Sequence, residues 1–500
     1  MAQDPAEPEE RLSTGSPELD RILNGGLVRH RLYLVEGTAG TGKTTLALQF
    51  AIEGAAQGEK TLYITLAETA EELNAAARSH GWSLDPIEVY ELVPLEARID
   101  RQQTVLQPSE VELGETMQLV CERIEAAAPD RLVIDSLSEL RLLARDPLRF
   151  RRQILALKAF LSGRRCTTLV LDDLTVLPNG LQMHSIVHGV LSLEQRHRGY
   201  GAVRRRLHVL KMRGSPFQSG HHDFLIAPGR ICVFPSLIAE EGDGAFPPET
   251  VSSGLPELDS LLGGGLARGT VTMLIGPSGS GKSSLALQYA MAAVGREESA
   301  AIFAFDETFA TFAERSVGLG FDVRAAVAGG HMAWEEVQPT RISPGEFVWR
   351  VRRQVEDRGV RLVVIDSLNS YLAAMPEEQM LMLQMHELLK YLDGSGVTTL
   401  LVMAQHGLAG EPHAPVDLSF LSDAIVLLRL FEAGGEVRKA ISVVKKRSGV
   451  HETAIREYRL TAEGIRVGPV LPDFSGLLSG TPATLAQGAP VPQPGGSDAD

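Results

Sequence analysis

The chain carries at residues 37–44 the octapeptide Gly37-Thr38-Ala39-Gly40-Thr41-Gly42-Lys43-Thr44, and the same pattern returns later as Gly276-Pro277-Ser278-Gly279-Ser280-Gly281-Lys282-Ser283. Both read G-x-x-x-x-G-K-[ST]. Each follows an apolar run, Leu32 to Val35 or Val271 to Ile275, and each precedes a helical pattern. A strand, a glycine loop and a helix in this order are the context of a phosphate-binding P-loop. The predicted binding loops also include the next residues, Thr45 and Ser284.

The residue types of these loops suit the binding of a nucleoside triphosphate. Glycines allow successive backbone N–H groups to turn toward phosphates, and the helix N-terminus adds partial positive charge. Lys43 and Lys282 are expected to reach the β- and γ-phosphates, while Thr44 and Ser283 are expected to ligate Mg²⁺. The alternative is a glycine-rich turn that matches by chance, and the doubled context argues against it. ATP and Mg²⁺ are therefore the predicted cofactors.

The whole chain is an internal repeat. Residues 13–51 align without a gap with residues 252–290, so the repeating unit is a complete domain rather than a short solenoid module. An acidic stretch rich in glycine and proline predicts the linker, and the last residues turn to Pro, Gly, Ala and Ser. The predicted organisation is an acidic tail at 1–9, domains at 10–238 and 249–470, a linker at 239–248 and a disordered tail at 471–500.

Strand and helix patterns alternate in both copies. Continuous apolar runs such as Arg131 to Asp135 and Leu362 to Asp366 suit strands buried on both faces of a mostly parallel sheet, so the predicted class is α/β. Both runs end in an aspartate followed by serine. A carboxylate at the end of a strand beside the P-loop strand can complete a Mg²⁺ shell, so Asp135 and Asp366 are the predicted metal-site carboxylates. The same pattern also occurs by chance.

Hydrolysis further requires a group that orients or deprotonates water near the γ-phosphate. The candidates follow the strand after each P-loop helix, where copy one reads Ala67-Glu68-Thr69 and copy two reads Asp306-Glu307-Thr308. Glu68, Asp306 and Glu307 are the candidate catalytic carboxylates. The alternative is a helix N-cap cluster, because threonine suits that position.

Composition and net charge indicate which partners and which compartment the sequence favours. The net charge of −15 argues against broad nucleic-acid binding, although a local basic patch at 196–206 leaves DNA contact open. Three scattered cysteines fit no metal spacing and predict a reduced, cytoplasmic setting. No run approaches about 18 apolar residues, so neither a membrane helix nor a membrane partner is expected.

These blocks resemble the KaiC family of tandem ATPases, and more closely its members outside the circadian clock. The resemblance spans about residues 10–470 and includes two late motifs, Lys211-Met212-Arg213-Gly214-Ser215 and Lys445-Lys446-Arg447-Ser448-Gly449. It implies two RecA-like domains and a homo-hexameric ring with ATP between neighbouring subunits. It also implies that Lys211, Arg213, Lys445 and Arg447 reach the phosphates of the neighbour, as arginine fingers do. The alternative is a solvated, charged strand.

Two departures from the family pattern qualify the function. Copy one has Ala67 where the family has the first of two glutamates, so the second copy is expected to perform most of the hydrolysis. Phe420 replaces a threonine beside Ser419 in the family's autophosphorylation stretch, which leaves only single-site autokinase activity at Ser419. The predicted function is a regulatory ATPase with a regulatory or signalling protein as a further partner. The alternatives are a serine/threonine autokinase, a DNA-binding motor and a nucleotide-gated scaffold without hydrolysis.

Overall fold

The computed structural model describes residues 10–92, 109–144, 146–175, 181–197, 201–238, 249–373, 381–405, 419–472, 474–475 and 483–484. The chain divides into two compact units, residues 1–236 and 237–500. We call them domain 1 and domain 2. The predicted acidic tail, the predicted linker and most of the predicted C-terminal tail lie outside the described residues.

Domain 1 is built on one large sheet. Its strands are β1 (Arg11–Leu12), β2 (Leu27–Val28), β3 (Leu32–Gly37), β4 (Thr61–Thr65), β5 (Glu88–Glu91), β6 (Arg131–Asp135), β7 (Thr167–Asp173), β8 (Gly189–Arg196), β9 (Arg204–Met212), β10 (His221–Ala227) and β11 (Arg230–Phe234). The large sheet has the order β11-β10-β9-β8-β3-β7-β6-β4-β5, and β1 pairs separately with β2. The strands from β8 to β5 in this order run parallel, and β9, β10 and β11 add an antiparallel extension.

Helices cover both faces of this sheet. They are α1 (Pro17–Ile22), α2 (Lys43–Ala56), α3 (Ala70–Ser79), α4 (Ser109–Ala127), α5 (Leu137–Ala144), α6 (Pro147–Ser162) and α7 (Leu181–His184). Side chains alternate along β3, so that Tyr33 and Val35 join the core beneath α2 while Leu32 and Leu34 join the core beneath α4 to α6. Burial on both faces explains the continuous apolar sequence of the central strands.

Domain 2 repeats the architecture. Its strands are β12 (Thr250–Val251), β13 (Leu266–Ala267), β14 (Val271–Gly276), β15 (Ser299–Ala304), β16 (Met332–Glu336), β17 (Val360–Asp366), β18 (Thr398–Ala404), β19 (Ala424–Ala433), β20 (Glu436–Lys446), β21 (Arg456–Thr461) and β22 (Gly464–Val470). Its helices are α8 (Pro256–Leu261), α9 (Lys282–Gly295), α10 (Phe309–Val317), α11 (Val323–Ala328), α12 (Pro344–Arg358), α13 (Leu368–Ala373) and α14 (Leu381–Gly394). The sheet order, read from its antiparallel end, is β22-β21-β20-β19-β14-β18-β17-β15-β16, which matches that of domain 1 position by position.

The α/β class and the two tandem RecA-like domains predicted from the sequence are confirmed. The P-loop strands β3 and β14 are central in both sheets, and the strands that end in Asp135 and Asp366 run parallel to them, one strand removed. The carboxyl ends of parallel strands share one edge of a sheet, which is where ligands of such sheets bind. Within the described part of the chain, every helix is too short or too polar to span a lipid bilayer. Two short strands, β23 (Phe474–Ser475) and β24 (Ala483–Thr484), pair with each other.

Candidate nucleotide-binding sites

The glycine loop of each domain leads from a strand directly into a helix. Gly42 and Gly281 are the N-cap residues of α2 and α9, with φ of 103° and 98°. A side chain at Gly42 would also place its Cβ 2.8 Å from the Cδ1 atom of Ile226. The left-handed backbone conformation therefore favours glycine at both positions. No side chain caps either helix, so the first backbone N–H groups remain available for an anion.

The two P-loop lysines have different partners. Lys43 Nζ donates to the carbonyl oxygens of Gly37 and Thr38, both at 2.8 Å, and to Asp173 Oδ2 at 3.1 Å. Lys282 Nζ has one partner among the described residues, the carbonyl oxygen of Pro277 at 2.8 Å. Burial lowers the pKa of Lys282. An ammonium has three N–H donors, so Lys43 uses all of its donors within its own domain.

A hydroxyl and a carboxylate meet at the start of each P-loop helix. Thr44 Oγ1 donates to Asp135 Oδ2 at 2.9 Å, and Tyr63 donates to the same oxygen at 2.8 Å. Burial raises the pKa of Asp135, although these hydroxyls oppose the shift. Ser283 hydrogen-bonds Asp366 in the same way, and burial likewise raises the pKa of Asp366. Hydroxyl and carboxylate oxygens are the ligands that Mg²⁺ prefers, so both pairs fit this ion.

The candidate carboxylate of domain 1 follows a strand that ends early. Strand β4 ends at Thr65, whose Oγ1 donates to the carbonyl oxygen of Glu68 at 2.6 Å and accepts from its N–H at 3.0 Å. The alternation of strand side chains therefore does not extend to Glu68. Burial, together with the charges of Asp135 and Glu72, raises the pKa of Glu68. Glu68 thus shares the electrostatic environment of the Thr44–Asp135 pair.

In domain 2 the two adjacent carboxylates have separate partners. Asp306 Oδ2 accepts hydrogen bonds from the hydroxyls of Ser367 at 3.0 Å and Ser370 at 2.6 Å. Glu307 forms a two-point ion pair with Arg315, at 3.1 and 2.8 Å. The charge of Glu307 contributes to the raised pKa of the Asp366 carboxyl, after burial. The N-cap alternative also holds for the neighbouring threonines, since Thr69 and Thr308 cap α3 and α10.

The late lysines and arginines lie at the opposite edge of each sheet. Lys211 pairs in register with Val190, next to the start of β3, whereas the glycine loop follows the end of that strand. Six strand residues separate the two edges by roughly 17 Å. Lys211 donates to the carbonyl oxygens of His184 and Val187, and Arg213 donates to that of Ser185. These cations therefore cannot contact the P-loop of their own domain.

In domain 2 the corresponding cations lie at the same edge but carry a carboxylate partner. Lys445 donates to the carbonyl oxygen of Ser422 at 2.7 Å, and Arg447 pairs with Asp423 at 3.3 Å. In the described part of domain 1 no carboxylate pairs with Lys211 or Arg213. Arg213 also lines a cavity of about 250 Å³ together with the cationic side chains of Arg31 and Lys158. Lys211 and Arg213 therefore differ from Arg447, whose charge is paired with Asp423.

A family comparison agrees with this geometry. The sequence model of the family described as "ATPase: KaiC" matches residues 12–238 and again residues 251–471. The chain belongs to the KaiC ATPase family. It is 25% identical over 491 residues to the circadian clock protein KaiC3 of Synechocystis sp., covering 96% of this chain and 95% of that protein. It is 26% identical over 484 residues to the circadian clock oscillator protein KaiC of Synechococcus elongatus, covering 93% and 90%.

The remaining loop residues of this KaiC-family chain lie between β3 and α2, between β14 and α9, and at the starts of these helices. Thr41 Oγ1 donates to the carbonyl oxygen of Thr38 at 2.9 Å, which closes the turn, and Thr45 and Ser284 lie in the first turns of α2 and α9. The basic stretch 196–206 spans the hairpin of β8 and β9, where residues 198–200 lie outside the described part. Arg206 pairs there with Asp223 at 3.2 Å. The side chain of Ser419 also lies outside the described residues.

Three polar residues near the P-loops were not predicted from the sequence. Tyr63 points its hydroxyl at Asp135, Arg315 holds Glu307, and Asp173 pairs with Lys43. Asp173 had a usable signal, because Leu171-Asp172-Asp173 is an apolar strand ending in carboxylates, the same pattern that identified Asp135. Tyr63 lies inside a fully buried strand, where its sequence context predicts only core packing.

Proposed function

We propose that this chain is an ATP-hydrolysing regulatory ATPase that binds MgATP at both P-loops, at the subunit interfaces of a homo-hexameric ring. The observation that carries the proposal is the doubled arrangement of lysine, hydroxyl and carboxylate, with Lys43, Thr44 and Asp135 in domain 1 and its counterpart in domain 2. Membership of the KaiC ATPase family supports the same reaction class.

Different residues of each site bind the phosphates and the Mg²⁺ ion. Lys43 and Lys282 bind the β- and γ-phosphates, and the N–H groups at the starts of α2 and α9 receive further phosphate oxygens. Thr44 with Asp135, and Ser283 with Asp366, would hold Mg²⁺. Bound Mg²⁺ supplies charge neutralisation to the phosphate oxygens. The raised pKa values of Asp135 and Asp366 reflect burial, and a bound cation would favour the ionised carboxylates that ligation requires.

In the proposed ring, each nucleotide receives further positive charge from the neighbouring subunit. Lys211, Arg213, Lys445 and Arg447 lie on the sheet edge opposite their own glycine loops, so a phosphate bound at the P-loop of their own domain cannot reach them, and we assign them to a nucleotide of the neighbouring subunit. The cations of domain 1 lack a carboxylate partner among the described residues, which supports an external anion as their ligand. Their role would be the stabilisation of charge on the transferred phosphoryl group.

Water activation is assigned to the carboxylates that follow the strands after the P-loop helices. Asp306 is oriented by two serine hydroxyls that follow Asp366, whereas Glu307 is neutralised by Arg315. We assign the main hydrolytic role to Asp306 in domain 2, with Glu68 as the candidate of domain 1. Phosphate release separates this proposal from a scaffold that only binds ATP, because the scaffold would release none.

The partners and the compartment follow from the sequence. The principal partner is another copy of the chain, and a regulatory or signalling protein would receive the conformational output. DNA is not proposed as a partner, because the net charge is −15 and Arg206 of the basic hairpin already pairs with Asp223. A cytoplasmic location is proposed from the small number and scattered positions of the cysteines.

Calorimetry with the P-loop lysines tests the proposal. Lys43→Ala and Lys282→Ala each remove the cation of one site, so each single variant should keep one class of MgATP site and the double variant should keep none. Lys60→Ala is the matched control, because this exposed lysine lies outside both sites. Unchanged MgATP affinity in the double variant would refute both binding-site assignments.

A further inference from the structure

The end of the strand next to the P-loop differs between the two domains. Gly37 lies beside Asp173 in the sheet register of domain 1, and Gly276 lies beside Ala404 in that of domain 2. Domain 1 thus has a carboxylate at a position where domain 2 has only a methyl group. Both positions adjoin the loop that cradles the phosphates in the proposed sites.

Asp173 is held in place from several directions. Its Oδ1 atom accepts hydrogen bonds from the backbone N–H of Thr175, at 2.8 Å, and from the Thr175 hydroxyl. Its own backbone N–H donates to Ser138 Oγ at 3.2 Å. Its Oδ2 atom contacts Lys43 Nζ at 3.1 Å, and the Lys43 side chain is 10% exposed while that of Asp173 is 23% exposed. The ion pair is therefore partly shielded from water, where charges interact more strongly than at an open surface.

This contact changes what Lys43 can offer to a nucleotide. Two of its donors bind carbonyl oxygens of the glycine loop, and the third binds Asp173. A phosphate oxygen must displace one of them, and the carboxylate neutralises the charge that would attract the γ-phosphate. Lys282 has one protein partner in the described part of domain 2, so two of its donors remain for phosphate oxygens.

We propose that Asp173 is an internal counter-ion of the P-loop lysine that lowers the preference of domain 1 for nucleoside triphosphates over diphosphates. The γ-phosphate adds negative charge close to the Asp173 carboxylate, whereas a diphosphate lacks that group. Domain 2 discriminates more strongly because Ala404 carries no charge. As a consequence, domain 1 retains ADP nearly as well as ATP and stays loaded while domain 2 turns over. This inference rests on the proposed nucleotide site of domain 1.

The effect can be scaled from Coulomb's law. Two unit charges about 6 Å apart in a medium of effective dielectric constant about 20 repel enough to change an affinity by roughly tenfold to a hundredfold. Asp173→Asn keeps the size of the side chain and removes its charge. The variant should therefore strengthen triphosphate binding by about tenfold or more, with diphosphate binding changed by less than about threefold.

The test uses the full chain carrying Lys282→Ala, so that only the P-loop of domain 1 binds. Displacement of a fluorescent nucleotide gives the dissociation constants of magnesium ADP and of a non-hydrolysable magnesium ATP analogue, with and without Asp173→Asn. Asp85→Asn is the matched control, because it removes the same charge from an exposed residue. In the reciprocal experiment, Ala404→Asp in the Lys43→Ala chain should reduce the triphosphate preference of domain 2.

The outcomes separate the inference from the function on which it rests. If the Lys282→Ala chain binds neither nucleotide, the proposed binding site of domain 1 is wrong. If it binds nucleotide and Asp173→Asn leaves the ratio of the two dissociation constants unchanged, the site stands and the role of Asp173 is refuted. Equal strengthening of both nucleotides also refutes it, because a general electrostatic effect then replaces selectivity for the γ-phosphate. Since the asparagine is isosteric, a melting temperature near that of the parent chain confirms the fold.

Discussion

Domain 1 and domain 2 each carry a glycine loop at the end of a central strand of a sheet with the same strand order. The charged residues around the two loops differ. Lys43 is neutralised by Asp173, and domain 1 offers Glu68 as its one candidate catalytic carboxylate. Lys282 has a single carbonyl partner among the described residues, and domain 2 offers two candidate carboxylates, Asp306 and Glu307. Backbone geometry alone therefore does not assign the chemistry. In the function proposed above, the charges at the strand ends distinguish domain 1, which holds nucleotide, from domain 2, which performs most of the turnover.

The buried interiors differ in the same manner. Arg131 in β6 is completely buried and pairs with Glu59, while the corresponding position in β17 is Leu362. On the neighbouring strand β7, the buried Asp172 pairs with Arg141 of α5. The position in domain 2 that corresponds to Asp172 is the apolar Met403 on β18. Domain 1 thus uses buried ion pairs where domain 2 uses apolar packing, and such pairs contribute little net stability while leaving a costly charge if one partner is lost.

Arg447→Ala should have the largest effect on turnover. Arg447 lies on the edge opposite its own P-loop, so its removal should leave nucleotide binding in its own domain intact. Loss of an arginine finger should lower turnover at the neighbour's domain 2 site by about 10³ or more, so that only hydrolysis by domain 1 remains. Steady-state phosphate release at saturating ATP, with ring mass checked, measures this loss. Arg459→Ala, at an arginine on a neighbouring strand, is the control. A rate that stays within about threefold of the parent chain would contradict the assigned role.

Substitutions of the candidate catalytic carboxylates should have the next largest effect, and they compare the two domains directly. A general base contributes about 10²- to 10⁴-fold, so Asp306→Asn should slow hydrolysis at the domain 2 site by an amount in that range. Glu68→Gln should cause a smaller loss, because domain 1 contributes less to turnover. Glu307→Gln leaves Arg315 without its partner and serves as the comparison within domain 2.

The rates of these three variants decide between the domains, provided that each still forms the assembled species. A larger loss for Glu68→Gln than for either substitution in domain 2 would assign the main activity to domain 1 instead.

The smallest effect concerns the helices that follow these carboxylates. Thr69 forms a complete capping box with Glu72, whereas Thr308 caps α10 with Thr311 in the equivalent position. Thr69→Ala should cost about 1 kcal/mol of local stability. Thr308→Ala should cost less, because the Thr69 hydroxyl also donates to the Glu72 carboxylate whereas the Thr308 hydroxyl meets the neutral hydroxyl of Thr311. Hydrogen exchange of the amides in α3 and α10 reports each helix separately. Equal losses of protection would show that the bond from the Thr69 hydroxyl to the Glu72 carboxylate contributes nothing.

The sequence predicted the features that repeat. The doubled glycine loop, the apolar strands ending in Asp135 and Asp366 and the class of the fold could all be read from local patterns. What it could not predict arises from side chains brought together across the sheet. Asp173 lies 130 residues after Lys43, and only the parallel pairing of β3 with β7 places them in contact. The end of β4 at Thr65, which frees Glu68 from strand alternation, comes from local hydrogen bonds between Thr65 and Glu68 that the apolar pattern of the strand does not reveal.

The central claim is that each ATP lies between two copies of the chain. Mixing two inactive variants tests it most directly. Arg447→Ala provides intact P-loops, and Lys282→Ala provides intact arginines, so mixed rings contain some interfaces with both groups. Phosphate release measured across mixing ratios should rise above that of either variant alone and reach its maximum in mixtures of the two. If subunit exchange is verified by native mass and no ratio exceeds the separate variants, the shared interface is contradicted.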